Sequence, residues 1–466
     1  MRAKPEVVET SPVSSGGQYE AWLGRKLNFG AIDSNFDSDL TSLKNYSDAA
    51  EVLLRSSAGG KGAGQEDVDQ THLIRKKIND ARAAFLRVYA ETLYSDLTDN
   101  FNQSIRLDAL IDNAIRRYQG LLPSAIQMEQ DASRSLKEKE GHERAIGLFC
   151  SHIFSNPRSG IHLLQSMLRP LPSSLEQGAK FKIDGVLELG TAVLRRNGKA
   201  AEIQMYNPEY LNAEDASTIG PMEQAVDVAI LDSDTEVCVL RGTPAQHPRY
   251  AGRNIFCSGI NLTHLYEGKI PYLWYLTRDL GFVNKMAHGL LNDPEAIDDP
   301  TPTVEKPWIA AVETFAIGGG CQYLLVMDYT IAEKNAYLTL PARKEGIIPG
   351  LANMRLPRFV GDRITRQAIL FDRRLEADSP EGQMVIDHIV PDGGMDSAVR
   401  ETVQKLTSSG SVSASGNRKA LRVCQESLDD VRRYMASYAR EQVECHLSPA
   451  LIRNLEENWL KPKGKL

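Results

Sequence analysis

Three consecutive glycines, Gly318, Gly319 and Gly320, stand between apolar runs in the stretch FAIGGGCQYLLVMDY, residues 315–329. A strand that enters a glycine turn and leaves it as a helix is the simplest reading. Glycines let another group approach the backbone closely. A helix N-terminus at that point leaves N–H groups without internal acceptors, ready for negative charge. This suits chemistry in which charge develops on an oxygen. Gln322 falls just inside the helix, where acid–base chemistry would call for a carboxylate. Its amide donates and accepts hydrogen bonds but exchanges no proton at neutral pH.

A second glycine-bearing loop, NIFCSGINLTHLYEG (254–268), carries Ser258, Gly259, Ile260 and Asn261. Just before it, GTPAQHPRYAGRN holds His247, Arg249 and Arg253. The arginines can meet phosphates or serve as solvated surface charge. Arg278 is a cation in the aromatic stretch YLWYLTRDLGF, where it can meet a polar group of a bound substrate or pair with nearby Asp279 or another carboxylate. Ile347 and Ile348, in GIIPG, suit either an apolar pocket or ordinary core. Cys257 and Cys321 have no base next to them in sequence and read as packing residues. The nine histidines form no H-E-x-x-H or H-x-D pattern, and neither a Rossmann fingerprint nor a Walker motif occurs. No cofactor and no metal site are therefore expected, although distant ligands could still assemble one.

The elements that must position these residues follow from the patterning. VLELGTAVLRRNGKAAEIQMYN (186–207) reads as two strands joined at Asn197-Gly198. A helix pattern spans about 214–231, and EVCVLRG (236–242) is a strand. Strand–helix alternation continues through IAEKNAYLTLP and MVIDHIVPDGG, an α/β pattern. Ahead of this, residues 1–20 read as disordered and SSAGGKGAGQED (56–67) as a flexible linker. Ile74, Ile78, Ala81, Phe85 and Val88 recur at helical spacing, and PRSGIHLLQSMLRPLPSS reads as a proline-punctuated connector. Residues 1–180 thus form a mostly helical domain, 181–410 an α/β core and 411–466 a helical segment.

The 466 residues are 42% hydrophobic and 25% charged, with a net charge of −7. That is a soluble globular composition, and its mild acidity argues against non-specific nucleic-acid binding. Six scattered cysteines without a C-x-x-C pair suggest reduced thiols and a cytoplasmic setting. No apolar run approaches membrane-spanning length, and the N-terminus has no signal-peptide core.

Several segments together resemble the crotonase (enoyl-CoA hydratase/isomerase) superfamily. IQMYNPEYLNAED looks like its strand and "LNA" turn. FCSGINLTHLY is similar to its F-x-x-G-x-D-L loop, and ETFAIGGGCQYLLVMDYTIAEKNAYLTLPARKEGIIPG resembles its central block. VGDRITRQAIL and MVIDHIVP look like its C-terminal helix and strand. The resemblance covers about 183–395. It implies a ββα spiral core, trimers or hexamers, and an acyl-CoA thioester as ligand. It also implies an oxyanion hole, assigned by position to the N–H groups of Ile260 and Gly319. Glu214, after "LNA", falls where the family's substrate pocket begins. It can accept a phenol hydrogen bond or serve as a helix N-terminal carboxylate. By the same resemblance His247 can bond the pantetheine arm or order its loop.

The departures narrow the reading. Hydratases of the family carry glutamates where this chain has Gln322 and, after Pro341, Ala342. Without both acids, addition of water to a double bond lacks its proton shuttle. One branch resembles this chain in its helical N-terminal extension, its GGGCQ and its CSGINL loop: the cofactor-independent 3,5-dihydroxyphenylacetyl-CoA 1,2-dioxygenases of glycopeptide-antibiotic pathways. That resemblance implies an arylacetyl-CoA and O₂ as substrates, an apolar oxygen pocket at Ile347, and an arylglyoxylate and CoA as products. An isomerase or thioesterase using Glu345 or Glu214, or a CoA-binding scaffold without catalysis, are the alternatives.

Overall fold

The computed structural model describes residues 15–58, 65–293 and 302–460. Of the stretches expected to be disordered or flexible, residues 1–14 and 59–64 lie outside the described residues. The flanking residues are helical, in Ser15–Leu23, Phe36–Ala58 and Gln65–Leu97.

A seven-stranded sheet forms the α/β core, its strands adjacent in chain order. Val186–Glu188, Ala192–Asn197 and Ala200–Met205 run antiparallel; Val237–Arg241, Trp308–Val312, Tyr329–Glu333 and His388–Val390 then add in parallel. The parallel strands need crossovers, and helices supply them. The hairpin expected at Asn197-Gly198 is present, with Asn197 opposite Ala200. The stretch expected as one strand before that turn is two, Val186–Glu188 and Ala192–Asn197, because the chain turns back at Gly190. A smaller sheet joins Phe315–Ile317 in parallel with Tyr337–Thr339, and Leu375–Glu376 pairs on the other side. It carries the glycine turn.

Two expectations for helices need correction. The helix expected from 214 begins at Ile219, because Glu214 is held extended in a bridge to Ile260. The supposed connector at 157–174 contributes two helices, Pro157–Met167 and Pro172–Asp184. In each, proline takes the first helical turn, where its missing N–H costs nothing. Asn156 caps the first by accepting from the Ser159 N–H. In the long helix Gln65–Leu97, Ile74, Ile78 and Phe85 are buried as their spacing implies, while Val88 faces outward.

The N-terminal helices and the C-terminal helices share one apolar cluster. Phe85, Tyr94 and Phe149 meet Val431, Met435 and Tyr438 there, and Ile260, Trp274 and Tyr275 of the core join them. The contact is tightest between Glu143–Ser155 and Leu428–His446. Ser151 donates to the Ala436 carbonyl at 2.7 Å across it. At its end the buried Glu143 carboxylate accepts from Lys139 at 3.0 Å and from the Tyr272 N–H at 2.7 Å, with His446 Nε2 at 3.4 Å. Burial works against ionisation of Glu143, but His446 and Lys139 prevail and lower its pKa to about 2. Among the described residues no helix is long and apolar enough to cross a membrane.

Candidate active site

The glycine turn and the second loop meet side by side. Cys257 bridges to Ala316, and the Ile317 N–H donates to the Cys257 carbonyl at 3.0 Å. On the other side of the loop, the Glu214 N–H donates to the Gly259 carbonyl at 2.8 Å, and the Asn261 N–H donates to the Glu214 carbonyl at 2.7 Å. In such a parallel bridge the central residue's own N–H points away from the partner strand. Ile260 therefore directs its N–H away from Glu214. Gly318 has φ +52° and ψ −111°, a conformation that favours glycine. Its turn places Gly319 at the start of the helix Gly319–Leu324. Among the described residues neither the Ile260 N–H nor the Gly319 N–H has an acceptor.

Both residues line one cavity. Glu214, Arg278, Asp279, Gly318 and Gln322 form its polar wall. Leu340, Pro341, Ala342, Ile347, Ile348 and Pro349 are its apolar lining, and Glu345, Trp274, Tyr275 and Tyr438 line it too. The cavity volume is about 30 Å³.

Arg278 organises the polar wall. It is 3% exposed. Its Nε and Nη2 donate to the two Glu214 carboxylate oxygens at 2.7 and 3.1 Å. Its Nη1 donates to Asp279 Oδ1 at 2.7 Å and to Gln322 Oε1 at 2.8 Å, and its Nη2 also reaches the Gly319 carbonyl at 3.2 Å. The Tyr323 hydroxyl donates to Glu214 from below. Burial opposes the charge on Arg278, but Glu214 and Asp279 outweigh it and raise its pKa. Burial raises the Asp279 carboxyl, with Arg278 opposing. Gly319 is a site of close approach: a Cβ there would lie 1.7 Å from Glu214 Oε2.

The remaining candidates from the sequence lie outside the cavity lining. His247 is exposed and its Nδ1 accepts from the Arg249 N–H at 3.2 Å, so it orders its own loop. Arg249 is exposed and sits over the Tyr250 ring. Arg253 binds Glu333 and the Glu313 carbonyl. Ser258 donates to the Tyr210 carbonyl, and Asn261 caps the helix Leu262–Tyr266 while bonding Asp215. Gly259 and Gly320 support the turn from behind; a Cβ on Gly320 would press on Cys257. Cys257 and Cys321 are buried, and burial pushes the Cys321 thiol up to about 12, as expected of packing residues.

Trp274, Tyr275 and Tyr438 escaped the sequence reading. Tyr438 comes from the helix Leu428–His446, and its hydroxyl has no hydrogen-bond partner among the described residues. Trp274 Nε1 is likewise buried without one. The same helix holds the apolar wall: Gln442 Oε1 accepts from the Ile348 N–H at 2.8 Å, and the Tyr434 hydroxyl donates to the Gly350 carbonyl. Among the described residues no group of three or more His, Cys, Asp or Glu side chains is arranged to hold a metal ion.

Residues 195–437 match the family described as enoyl-CoA hydratase/isomerase. A (3,5-dihydroxyphenyl)acetyl-CoA 1,2-dioxygenase from Amycolatopsis orientalis is 42% identical over 367 residues, which are 78% of this chain and 83% of that one. A short-chain-enoyl-CoA hydratase from Clostridium acetobutylicum is 25% identical over 236 residues, 50% of this chain and 82% of that one. The crystal structure of an enoyl-CoA hydratase from Mycobacterium avium subsp. paratuberculosis K-10 aligns with a TM-score of 0.48 at 19% identity, over 58% of this chain and 99% of that one.

Proposed function

The chain belongs to the enoyl-CoA hydratase/isomerase family, and from that premise we propose that it is a dioxygenase converting 3,5-dihydroxyphenylacetyl-CoA and O₂ to 3,5-dihydroxyphenylglyoxylate and CoA. The Amycolatopsis relative supports the substrate class, and its likeness extends well beyond the matched family segment. The observation that carries the reading is the cavity itself. Two unpartnered backbone N–H groups share it with a neutral amide locked to Arg278. Both positions of the hydratase acids are filled by residues that move no proton.

The chemistry follows from these groups. Loss of an α-proton from an arylacetyl thioester puts negative charge on the carbonyl oxygen. The Ile260 and Gly319 N–H groups would accept that oxygen, each donor worth about 2.7–4 kcal/mol in the transition state. The electron-rich enolate then reduces O₂, and a peroxide forms at the α-carbon. The peroxide closes on the thioester carbonyl and expels the CoA thiolate. The O–O bond breaks as the second α-hydrogen leaves, giving the glyoxylate. Ile347, Ile348 and Leu340 offer O₂ an apolar wall, while the Gln322 amide, Tyr438 hydroxyl and Trp274 N–H offer partners to ring hydroxyls. The electrons come from the substrate, so the proposed reaction uses no cofactor. A trimeric or hexameric assembly, a cytoplasmic setting and a role in antibiotic biosynthesis belong to the same proposal.

Oxygen uptake with a panel of arylacetyl-CoA esters tests it. Stoichiometric uptake and CoA release with the 3,5-dihydroxyphenyl ester are expected. CoA release without oxygen uptake would replace the reading with a thioesterase, and binding without any turnover would leave a scaffold.

A further inference from the structure

Three carboxylates line the cavity, and two of them are committed. Glu214 is bonded through both oxygens to Arg278 and also takes the Tyr323 hydroxyl. Asp279 is bonded to the same guanidinium. Their bonds to the buried guanidinium hold these two carboxylates in place against the polar wall. Glu345 differs: among the described residues its side chain has no hydrogen-bond donor and no cation in an ion pair. It ends the short helix Ala342–Glu345. Residues three apart share a helix face, so Glu345 and Ala342 both reach the cavity. The carboxylate lost at Ala342 is thus replaced by one a single turn further along.

We propose that Glu345 is the general base that takes the α-proton of the thioester substrate. This rests on the arylacetyl-CoA reading above. The α C–H bond breaks, its proton goes to a Glu345 oxygen, and its electron pair moves onto the carbonyl oxygen held by Ile260 and Gly319. The protonated Glu345 later returns that proton to the departing CoA thiolate. The charged and titratable groups around it agree with the role. Burial, helped by Asp372 and opposed by Lys344, pushes the Glu345 carboxyl up to about 8, and Tyr275 faces it from the helix Leu273–Arg278. A carboxylate of that basicity is well matched to a weak carbon acid.

The test separates proton abstraction from oxygenation. Under anaerobic conditions in D₂O, wild-type enzyme with 3,5-dihydroxyphenylacetyl-CoA should exchange the α-hydrogens, followed by NMR. Glu345→Gln should slow exchange by about 10²–10⁴-fold while still binding the substrate. Glu345→Asp should recover part of the rate. Wild-type exchange should rise with pH to a plateau above about 8, and the Gln variant should lose that dependence. A folded Glu345→Gln protein that exchanges at the wild-type rate would overturn the proposal. Wild-type exchange without oxygen uptake would instead refute only the dioxygenase reading.

Discussion

The Gln322 amide oxygen accepts a hydrogen bond from Arg278 Nη1 at 2.8 Å. A guanidinium only donates, so this contact fixes which way the amide faces. Its NH₂ is left as a donor at the cavity. A glutamate in its place would gain a buried cation and stay ionised, and would therefore not become the acid of a hydratase. Gln322→Glu is expected to lower oxygen uptake about 10- to 100-fold through loss of that donor, with no hydration of crotonyl-CoA. Unchanged uptake, or hydration, would contradict this account of the amide.

Gly319 has no room for a side chain. Its Cβ would meet Glu214 Oε2 at 1.7 Å and Arg278 Nη2 at 2.8 Å. Gly319→Ala should cost about 10²–10³-fold in turnover and lower the melting temperature, because the buried ion pair must shift. Gly178→Ala is the control: nothing stands within 4 Å of that Cβ, and its helix should gain about 0.5–1 kcal/mol. Equal activity in the two variants would remove Gly319 from the oxyanion role.

The proposed route needs no electron source but the substrate. Activity is expected to survive exhaustive chelation. With ¹⁸O₂, one label should appear at the former α-carbon and one in the carboxylate. Loss on chelation with recovery by one specific metal would sink the cofactor-free route. A single label would refute the closure of peroxide on the thioester.

Gln442 is fully buried and holds the Ile348 N–H. Gln442→Ala should leave that donor unsatisfied and loosen the apolar wall. Faster amide exchange at Ile348, with kcat and KM changing together, is the expected signature. Wild-type protection at Ile348 would show that the wall does not depend on this bond.

Acid should part the two ends of the chain. Glu143 and Glu426 both have carboxyl pKa values lowered to about 2, against the cost of burial: Glu143 by His446 and Lys139, Glu426 by Arg355 and His288. A carboxyl whose folded pKa lies below its unfolded value, about 4.3, stabilises the fold fully above that value. The contribution is lost as pH falls through the folded pKa. Chemical denaturation midpoints should therefore drop between about pH 5 and pH 2, and Glu143→Gln should flatten the profile. A midpoint independent of pH there would exclude the contribution.

Much of this site was legible because its parts are local. The three glycines, Gln322 and the 257–260 loop each announce a turn, and the hairpin at Asn197-Gly198 needs only its own residues. Arg278 was visible as a cation among aromatics, with Asp279 beside it, but Glu214 and Gln322 reach it from different segments. Tyr438 was not legible: it reaches the cavity only through the packing of the last long helix, and in sequence it resembles any core tyrosine. Pro157 and Pro172 misled because proline both ends and begins helices. His247 lay next to the right loop, and only tertiary structure turns it outward.

The shared core of the N-terminal and C-terminal helices has a consequence during synthesis. The ribosome delivers Ile260, Gly319 and Gln322 well before Tyr438, which lines the cavity, and Gln442, which holds the Ile348 N–H. Chains fold as they emerge, at about 5–20 residues per second. A nascent chain that has already built its sheet therefore still lacks one wall of its cavity. Its early helices also expose the face that Val431, Met435 and Tyr438 will cover. The helix Leu428–His446 emerges late, and it brings both the cover for that apolar surface and the Tyr438 side of the cavity, so an unfinished chain can form the glycine turn while its cavity still lacks that side.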